Sequence, residues 1–162
     1  LGNRGWQPAN SASQVERNVG VVHIQAVSVE DTWTRLKNDT RSVLIDVRTI
    51  AEWAYVGLPD LSAIGKQPVL VEWQGFPDNR PNTAFVERVV EALTPLGADR
   101  ESELFFICRS GQRSLKAAQA MAAAGYMRCR NVADGFEGPL DADRHRGQLV
   151  GWKAKGLPWA QG

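Results

Sequence analysis

The sequence predicts an α/β fold of three layers: a central parallel sheet of about five strands, flanked by helices on both faces. Three observations predict it. Apolar runs of strand length, such as Val43-Leu44-Ile45 and Leu104-Phe105-Phe106-Ile107, lack the polar alternation of a half-exposed strand and so read as buried on both faces. Segments of helical periodicity lie between these runs, the order that builds parallel sheets. The chain has 162 residues, 43% hydrophobic and 23% charged, which suits one domain with a single sizeable core.

In chain order, residues 1–20 are polar and turn-rich and read as an extended N-terminal arm, with Trp6 as a possible anchor; residues 21–162 form the single domain. Val21 to Gln25 is expected to be a short strand. Ser28 then opens a helix through about Lys37, with Asp31 three residues on in capping-box position and Trp33 and Leu36 facing inward. Ser42 to Val47 is a buried strand whose carboxyl end delivers Asp46 and Arg48, and Glu52 follows in a short helix as a partner for an arginine. Because buried charges need partners, Asp46 and Arg48 are read as bracing neighbouring loops rather than touching a substrate. Pro68 to Trp73 is a third strand. Residues 74–82 form a loop, either a surface excursion or an overhang on a site at the carboxyl ends of the strands. Asn82 or Thr83 is expected to cap a helix carrying Phe85, Val86, Val89, Val90 and Leu93 inward, closed by Pro95 and Gly97.

Leu104 to Cys108 is the most central strand. It ends on a cysteine, followed by the polar loop Arg109-Ser110-Gly111-Gln112-Arg113-Ser114 and an alanine-rich helix over Gln112 to Ala124. A strand, a tight loop and a helix N-terminus thus meet at a thiol. Backbone N–H groups at such a junction have no helical partner, and the helix dipole with two arginines favours thiolate over thiol. Met127 to Val132 makes a fifth strand, where Cys129 reads as a small buried hydrophobe rather than a resolving cysteine.

The loop Cys108 to Ser114 resembles the active-site loop of the rhodanese (sulfurtransferase) family. Leu44 to Arg48 with Glu52-Trp53 resembles the family's first block. Asn131 to Phe136 and Gly151 to Pro158 resemble its closing segment, so the resemblance runs in order from about residue 26 to 160. Two departures stand out. Many members place Gly-His-Ile-Pro-Gly-Ala where this chain has Val56-Gly57-Leu58-Pro59-Asp60-Leu61, so local packing there is expected to differ. An insertion, Glu137 to Val150, separates blocks that lie closer together in simpler relatives.

The resemblance implies a rhodanese-like fold and sulfur transfer by double displacement, with Cys108 as nucleophile and carrier of a persulfide. Arg109, Ser110, Gly111, Gln112, Arg113 and Ser114 would bind the substrate, through loop N–H groups on the outer sulfur and through charge. Arg113 would neutralise the anionic donor or buttress the loop. Arg109 would attract the donor and tips the choice towards thiosulfate, since mercaptopyruvate-type members usually have glycine there. The acceptor would be cyanide, a thiol or a protein. Two other readings stay open: a non-catalytic interaction module, which would usually have lost the cysteine, and a cysteine phosphatase or arsenate reductase. The latter loops place five residues between cysteine and arginine, whereas Cys108 and Arg113 are separated by four.

The formal charge of +1 gives no reason to expect nucleic acid or a membrane surface as partner. Two scattered cysteines and two histidines, His23 and His145, show neither disulfide pattern nor metal-ligand spacing. No cofactor and no metal is therefore expected, and a reducing, cytoplasmic setting is.

Overall fold

The computed structural model describes residues 22–162. The expected arm over residues 1–20, Trp6 within it, and Val21 lie outside the described residues. The strands are β1 Gln25–Val27, β2 Val43–Asp46, β3 Leu58–Pro59, β4 Val69–Leu70, β5 Glu103–Ile107, β6 Arg128–Val132 and β7 Trp159–Ala160. The α-helices are α1 Val29–Asn38, α2 Ile50–Tyr55, α3 Phe85–Leu93 and α4 Gln112–Ala123. Five strands form one parallel sheet in the order β1-β6-β5-β2-β4, which places β5 at its centre as expected.

The two-residue alternation of β2 and β5 splits the core into two layers. Val43, Ile45, Leu104 and Phe106 face a cluster with Phe85, Val89 and Leu93 of α3 and Ala117, Ala118 and Met121 of α4. Leu44, Phe105 and Ile107 face the opposite cluster, with Leu36 of α1, Phe136 and Trp152. Cys108, the next residue after β5, continues the alternation onto the α3/α4 side. Removing side chains of this size from water contributes about 1.5–3 kcal/mol each, so the sheet is held from both faces. No helix among the described residues is long and apolar enough to cross a membrane.

Several boundaries differ from the sequence expectation. The first strand is Gln25–Val27 rather than Val21 to Gln25, because pairing with β6 aligns Gln25 with Arg130 and Val27 with Val132. Ser28 caps α1 by accepting the Asp31 N–H at 3.0 Å. The full reciprocal capping box is instead at α2, between Thr49 and Glu52. The third strand is reduced to Val69–Leu70, although the N–H groups of Val71 and Trp73 go on donating to the carbonyls of Asp46 and Val47. Neither Asn82 nor Thr83 is the N-cap of α3: that position is Ala84, and Asn82 Oδ1 accepts the Ala84 N–H from two residues earlier.

Where the chain departs from the Gly-His-Ile-Pro-Gly-Ala pattern, β3 pairs antiparallel with β7 at the C-terminus. Gly57, at φ +110°, permits this, since a Cβ there would come within 2.9 Å of the Ala160 carbonyl oxygen. Trp152 ties the same end to the core: its ring is fully buried and its Nε1–H donates to the Pro158 carbonyl at 2.7 Å. Trp152→Ala is expected to cost about 3–5 kcal/mol of folding stability, through lost burial and an unfilled cavity, as read by equilibrium urea denaturation.

Candidate active site

The Cys108 loop is held between two segments. On one side, Gly111 at φ +101° turns the chain into α4, and a Cβ there would come within 2.2 Å of the Ala133 carbonyl oxygen. On the other side, the Cys108 carbonyl accepts the Phe136 N–H at 2.8 Å. The Arg109 carbonyl accepts the N–H groups of both Glu137 and Gly138, at 3.1 and 3.0 Å. This approach requires Gly135, since a Cβ at its φ of +73° would sit 2.3 Å from the Arg109 oxygen. Both glycines are thus positions where the backbone of the loop has no space for a side chain.

Within this frame the buried Cys108 Sγ receives the Gly111 N–H at 3.1 Å and lies 3.2 Å from Ser114 Oγ. Ser114 Oγ in turn donates to Asn131 Oδ1 at 2.6 Å, and Asn131 Nδ2 donates to the Gly111 carbonyl at 3.1 Å. The second bond fixes the amide so that its oxygen faces Ser114. A hydroxyl has one proton, and here it goes to Asn131. Ser114 Oγ is therefore an acceptor for the Cys108 thiol, and the Gly111 N–H and the Ser114 hydroxyl meet at the same sulfur.

Arg113, in the first turn of α4, points no unpaired charge at the sulfur. Its guanidinium grips Glu52 of α2 in bidentate fashion, at 2.6 and 3.0 Å. Burial pushes the Glu52 carboxyl up. The hydrogen bonds and charge of Arg113, the Thr49 N–H and the charge of Arg48 outweigh this and hold it below its ordinary value of 4.5. Arg109 is exposed and joins no ion pair among the described residues.

A cavity of about 370 Å³ opens over Cys108, walled by Arg109, Ser110, Gln112, Arg113, Thr49 and Glu52, and by Gln74, Phe76 and Asn79 of the 74–82 loop. That loop is an overhang on this site. Asp46 and Arg48 do not line the cavity. They form a fully buried pair, with Arg48 Nη2 2.7 Å from Asp46 Oδ2 and 2.8 Å from the Gly57 carbonyl. The Arg48 guanidinium also lies 4.1 Å from the centre of the Phe136 ring, beneath the segment that grips the loop. Cys129 is buried on β6 and forms no disulfide; burial pushes its thiol up to about 12, with Arg130 acting the other way. No cluster of three or more metal-binding side chains occurs among the described residues.

Asn131 and Thr49 were missed in the sequence. The available signals were an asparagine inside a strand and a threonine three residues before Glu52, the capping-box spacing.

The family model described as STR4 middle domain matches residues 24–162. An uncharacterised protein of Rickettsia conorii is 34% identical over 136 residues, covering 84% of this chain and 97% of its own. Thiosulfate sulfurtransferase 18 of Arabidopsis thaliana is 33% identical over 113 residues, covering 69% of this chain and 76% of its own. Among solved structures, Rv0390 from M. tuberculosis superposes with a TM-score of 0.77 at 42% identity, over 87% of this chain and 100% of that one.

The Glu52–Arg113 pair carries a pH signature. Because the folded carboxyl lies below its ordinary value of 4.5, its contribution to stability is complete above that pH and disappears as pH falls through the folded value. Glu52→Gln is expected to destabilise the protein by about 1 kcal/mol at neutral pH, two charge-assisted bonds partly screened by solvent. The gap to the parent should close on acidification below pH 4.5, measured by denaturation midpoints along a pH series.

Proposed function

The chain belongs to the rhodanese-like sulfurtransferase family, and on that premise we propose that it moves a sulfane sulfur from thiosulfate to a thiophilic acceptor through a persulfide on Cys108. The observation that carries this reading is the sulfur environment: the Gly111 N–H and the Ser114 hydroxyl converge on Cys108 Sγ at 3.1 and 3.2 Å. In the first half-reaction the Cys108 thiolate attacks the outer sulfur of the donor. The S–S bond of thiosulfate breaks and sulfite leaves with its electron pair. In the second, an acceptor nucleophile attacks the outer sulfur of the persulfide, and the Cys108 thiolate is regenerated. The negative outer sulfur needs N–H donors already in place, and the first turn of α4 offers them without reorganisation.

Thiosulfate as donor is supported by the name of the Arabidopsis relative and by Arg109, which lines the cavity and joins no ion pair among the described residues. Arg113 serves as a brace in this scheme, because its charge is already answered by Glu52. The gap of four residues between Cys108 and Arg113 favours a single sulfur over a tetrahedral phosphate. The two free thiols of the chain suit a reducing compartment such as the cytoplasm.

Treatment of the protein with thiosulfate is expected to add one sulfur atom to its intact mass. Cys108→Ser should abolish both this addition and thiosulfate-to-cyanide turnover, while Cys129→Ser keeps them. Turnover by the Cys108→Ser protein, or Cys108-dependent release of phosphate from an aryl phosphate at neutral pH, would overturn the assignment.

The two arginines should separate in a salt series. Arg109→Ala is expected to raise the apparent thiosulfate constant mainly at low ionic strength, since an exposed charge acts through a screened field. Arg113→Ala should cut turnover about tenfold at every ionic strength, because it strands the Glu52 carboxylate beside the loop. Steady-state kinetics of both variants distinguish these outcomes; equal salt dependence would mean that the roles are assigned wrongly.

A further inference from the structure

Asn131 is a polar residue where the sheet has no use for one. It stands in β6, between β5 and β1, opposite Phe106 on one side and Ala26 on the other, and it is buried. A buried amide costs free energy unless it is hydrogen-bonded, so its partners show what it is kept for. Among the described residues the Asn131 side chain has two, the Ser114 hydroxyl at 2.6 Å and the Gly111 carbonyl at 3.1 Å. Neither belongs to the sheet; both belong to the turn from Cys108 into α4. The side chain lines neither the cavity over Cys108 nor a second one, of about 490 Å³, that shares Thr49, Glu52, Phe76 and Arg109 with it. Asn131 can therefore act on the chemistry only through Gly111 and Ser114.

Those two residues are the ones that meet the sulfur, the Gly111 N–H at 3.1 Å and Ser114 Oγ at 3.2 Å. The contacts close a ring: Cys108 sulfur, Gly111 backbone, Asn131 amide, Ser114 hydroxyl, and back to the sulfur. All four residues are buried, where hydrogen bonds in a chain strengthen one another. The ring needs an amide, because it calls for an acceptor and a donor on one short planar group. An aspartate would set a second oxygen against the Gly111 carbonyl, and a leucine of the same shape would bond neither partner. Gly111 is also the residue most in need of an anchor. At φ +101° it has no side chain to restrain it, so the bond on its carbonyl limits where its N–H can point.

Resting on Cys108 as the nucleophile of the scheme above, we propose that Asn131 is a positioning residue of the reaction, whose one amide holds both groups that meet the Cys108 sulfur. The loop is then fixed in two halves by two different means. Its first half, Cys108 and Arg109, is held through its carbonyls by the backbone of residues 136–138. Its second half, Gly111 and Ser114, is held by the Asn131 side chain. Arg113 has no part in this ring, since its guanidinium goes to Glu52. Loss of the amide frees the Gly111 N–H to swing with the glycine backbone and leaves the Ser114 hydroxyl without its acceptor. The sulfur then has no defined pair of neighbours, and attack from a loosely held sulfur is slower because fewer encounters have the reactive geometry.

Asn131→Leu keeps the shape of the amide and removes both bonds, and Asn131→Ala removes the bonds and the volume. In a Cys129→Ser background Cys108 is the one thiol of the chain, and its alkylation by iodoacetamide is followed by intact mass. The initial rate should fall about tenfold in both variants, the scale of a lost hydrogen bond. Sulfur loading from thiosulfate should fall by a similar factor, since Asn131 touches no donor. Val43→Ala, at the far end of β2 from the loop, serves as the control: it should lose stability by urea denaturation and keep both rates. In a Ser114→Ala background, Asn131→Leu should cost clearly less than in the parent, because part of its effect passes through Ser114. Parental alkylation in Asn131→Leu overturns the role, as does slowing that Val43→Ala reproduces or full additivity with Ser114→Ala. Alkylation that depends on Asn131 and is coupled to Ser114 supports it even where thiosulfate adds no sulfur, a failure that counts against the persulfide scheme alone.

Discussion

Everything at this site depends on three backbone hydrogen bonds, from the N–H groups of Phe136, Glu137 and Gly138 to the carbonyls of Cys108 and Arg109. They fasten a loop that belongs to no regular element to a segment that follows the neighbouring strand, β6. Besides them, the Cys108 to Gly111 turn is held by the Asn131 amide on the Gly111 carbonyl and by the Gly111 N–H on the Cys108 sulfur. Their geometry leaves no space for a Cβ at Gly135, and Gly111 faces the same restriction against Ala133. Two glycines 24 positions apart in the chain are thus one structural device. Beneath it lies the buried Asp46–Arg48 pair, with the Arg48 guanidinium against the Phe136 ring. A buried pair of this kind is weak as a source of stability but directional, and here its direction supports the residue that grips the Cys108 carbonyl.

The parts of this arrangement that were legible in the sequence are the local ones. The strand, the cysteine, the glycine turn and the alanine-rich helix are contiguous, so their chemistry can be read along the chain. β5 reads as the central strand because every residue from Leu104 to Ile107 is apolar, the pattern of a strand buried on both faces. The expectation that Asp46 and Arg48 are braces followed from the cost of burying charge, and their mutual pairing has that form.

What could not be read are contacts set by register and by partner choice. The stretch Val21 to Gln25 has strand propensity, but pairing with β6 places the ladder over Gln25–Val27, where Val27 meets Val132. Glu52 could be assigned an arginine but not which one, since Arg113 is 61 residues away. Asn131 was silent because its role depends on an amide orientation fixed by the Gly111 carbonyl, across a separation of 20 residues. The β3–β7 pair joins segments about a hundred residues apart in a register with no local signal.

The placing of positive charge carries a kinetic consequence. Arg113 is committed to Glu52, which leaves Arg109, among the described residues, as the one cation without an ion pair that lines both cavities. A single guanidinium cannot fully answer an anionic donor over Cys108 and an anionic group in the adjacent cavity at the same time. Two such ligands would compete for it and repel one another across the shared wall of Thr49, Glu52 and Phe76. The double displacement proposed above would avoid the conflict by its order: the donor's leaving group would depart with its charge before the acceptor enters, which would release Arg109 for the second half-reaction. A mechanism in which donor and acceptor were bound together would need a second free cation on the Cys108 side. The bidentate grip of Glu52 on Arg113 removes the nearest residue that could have supplied it.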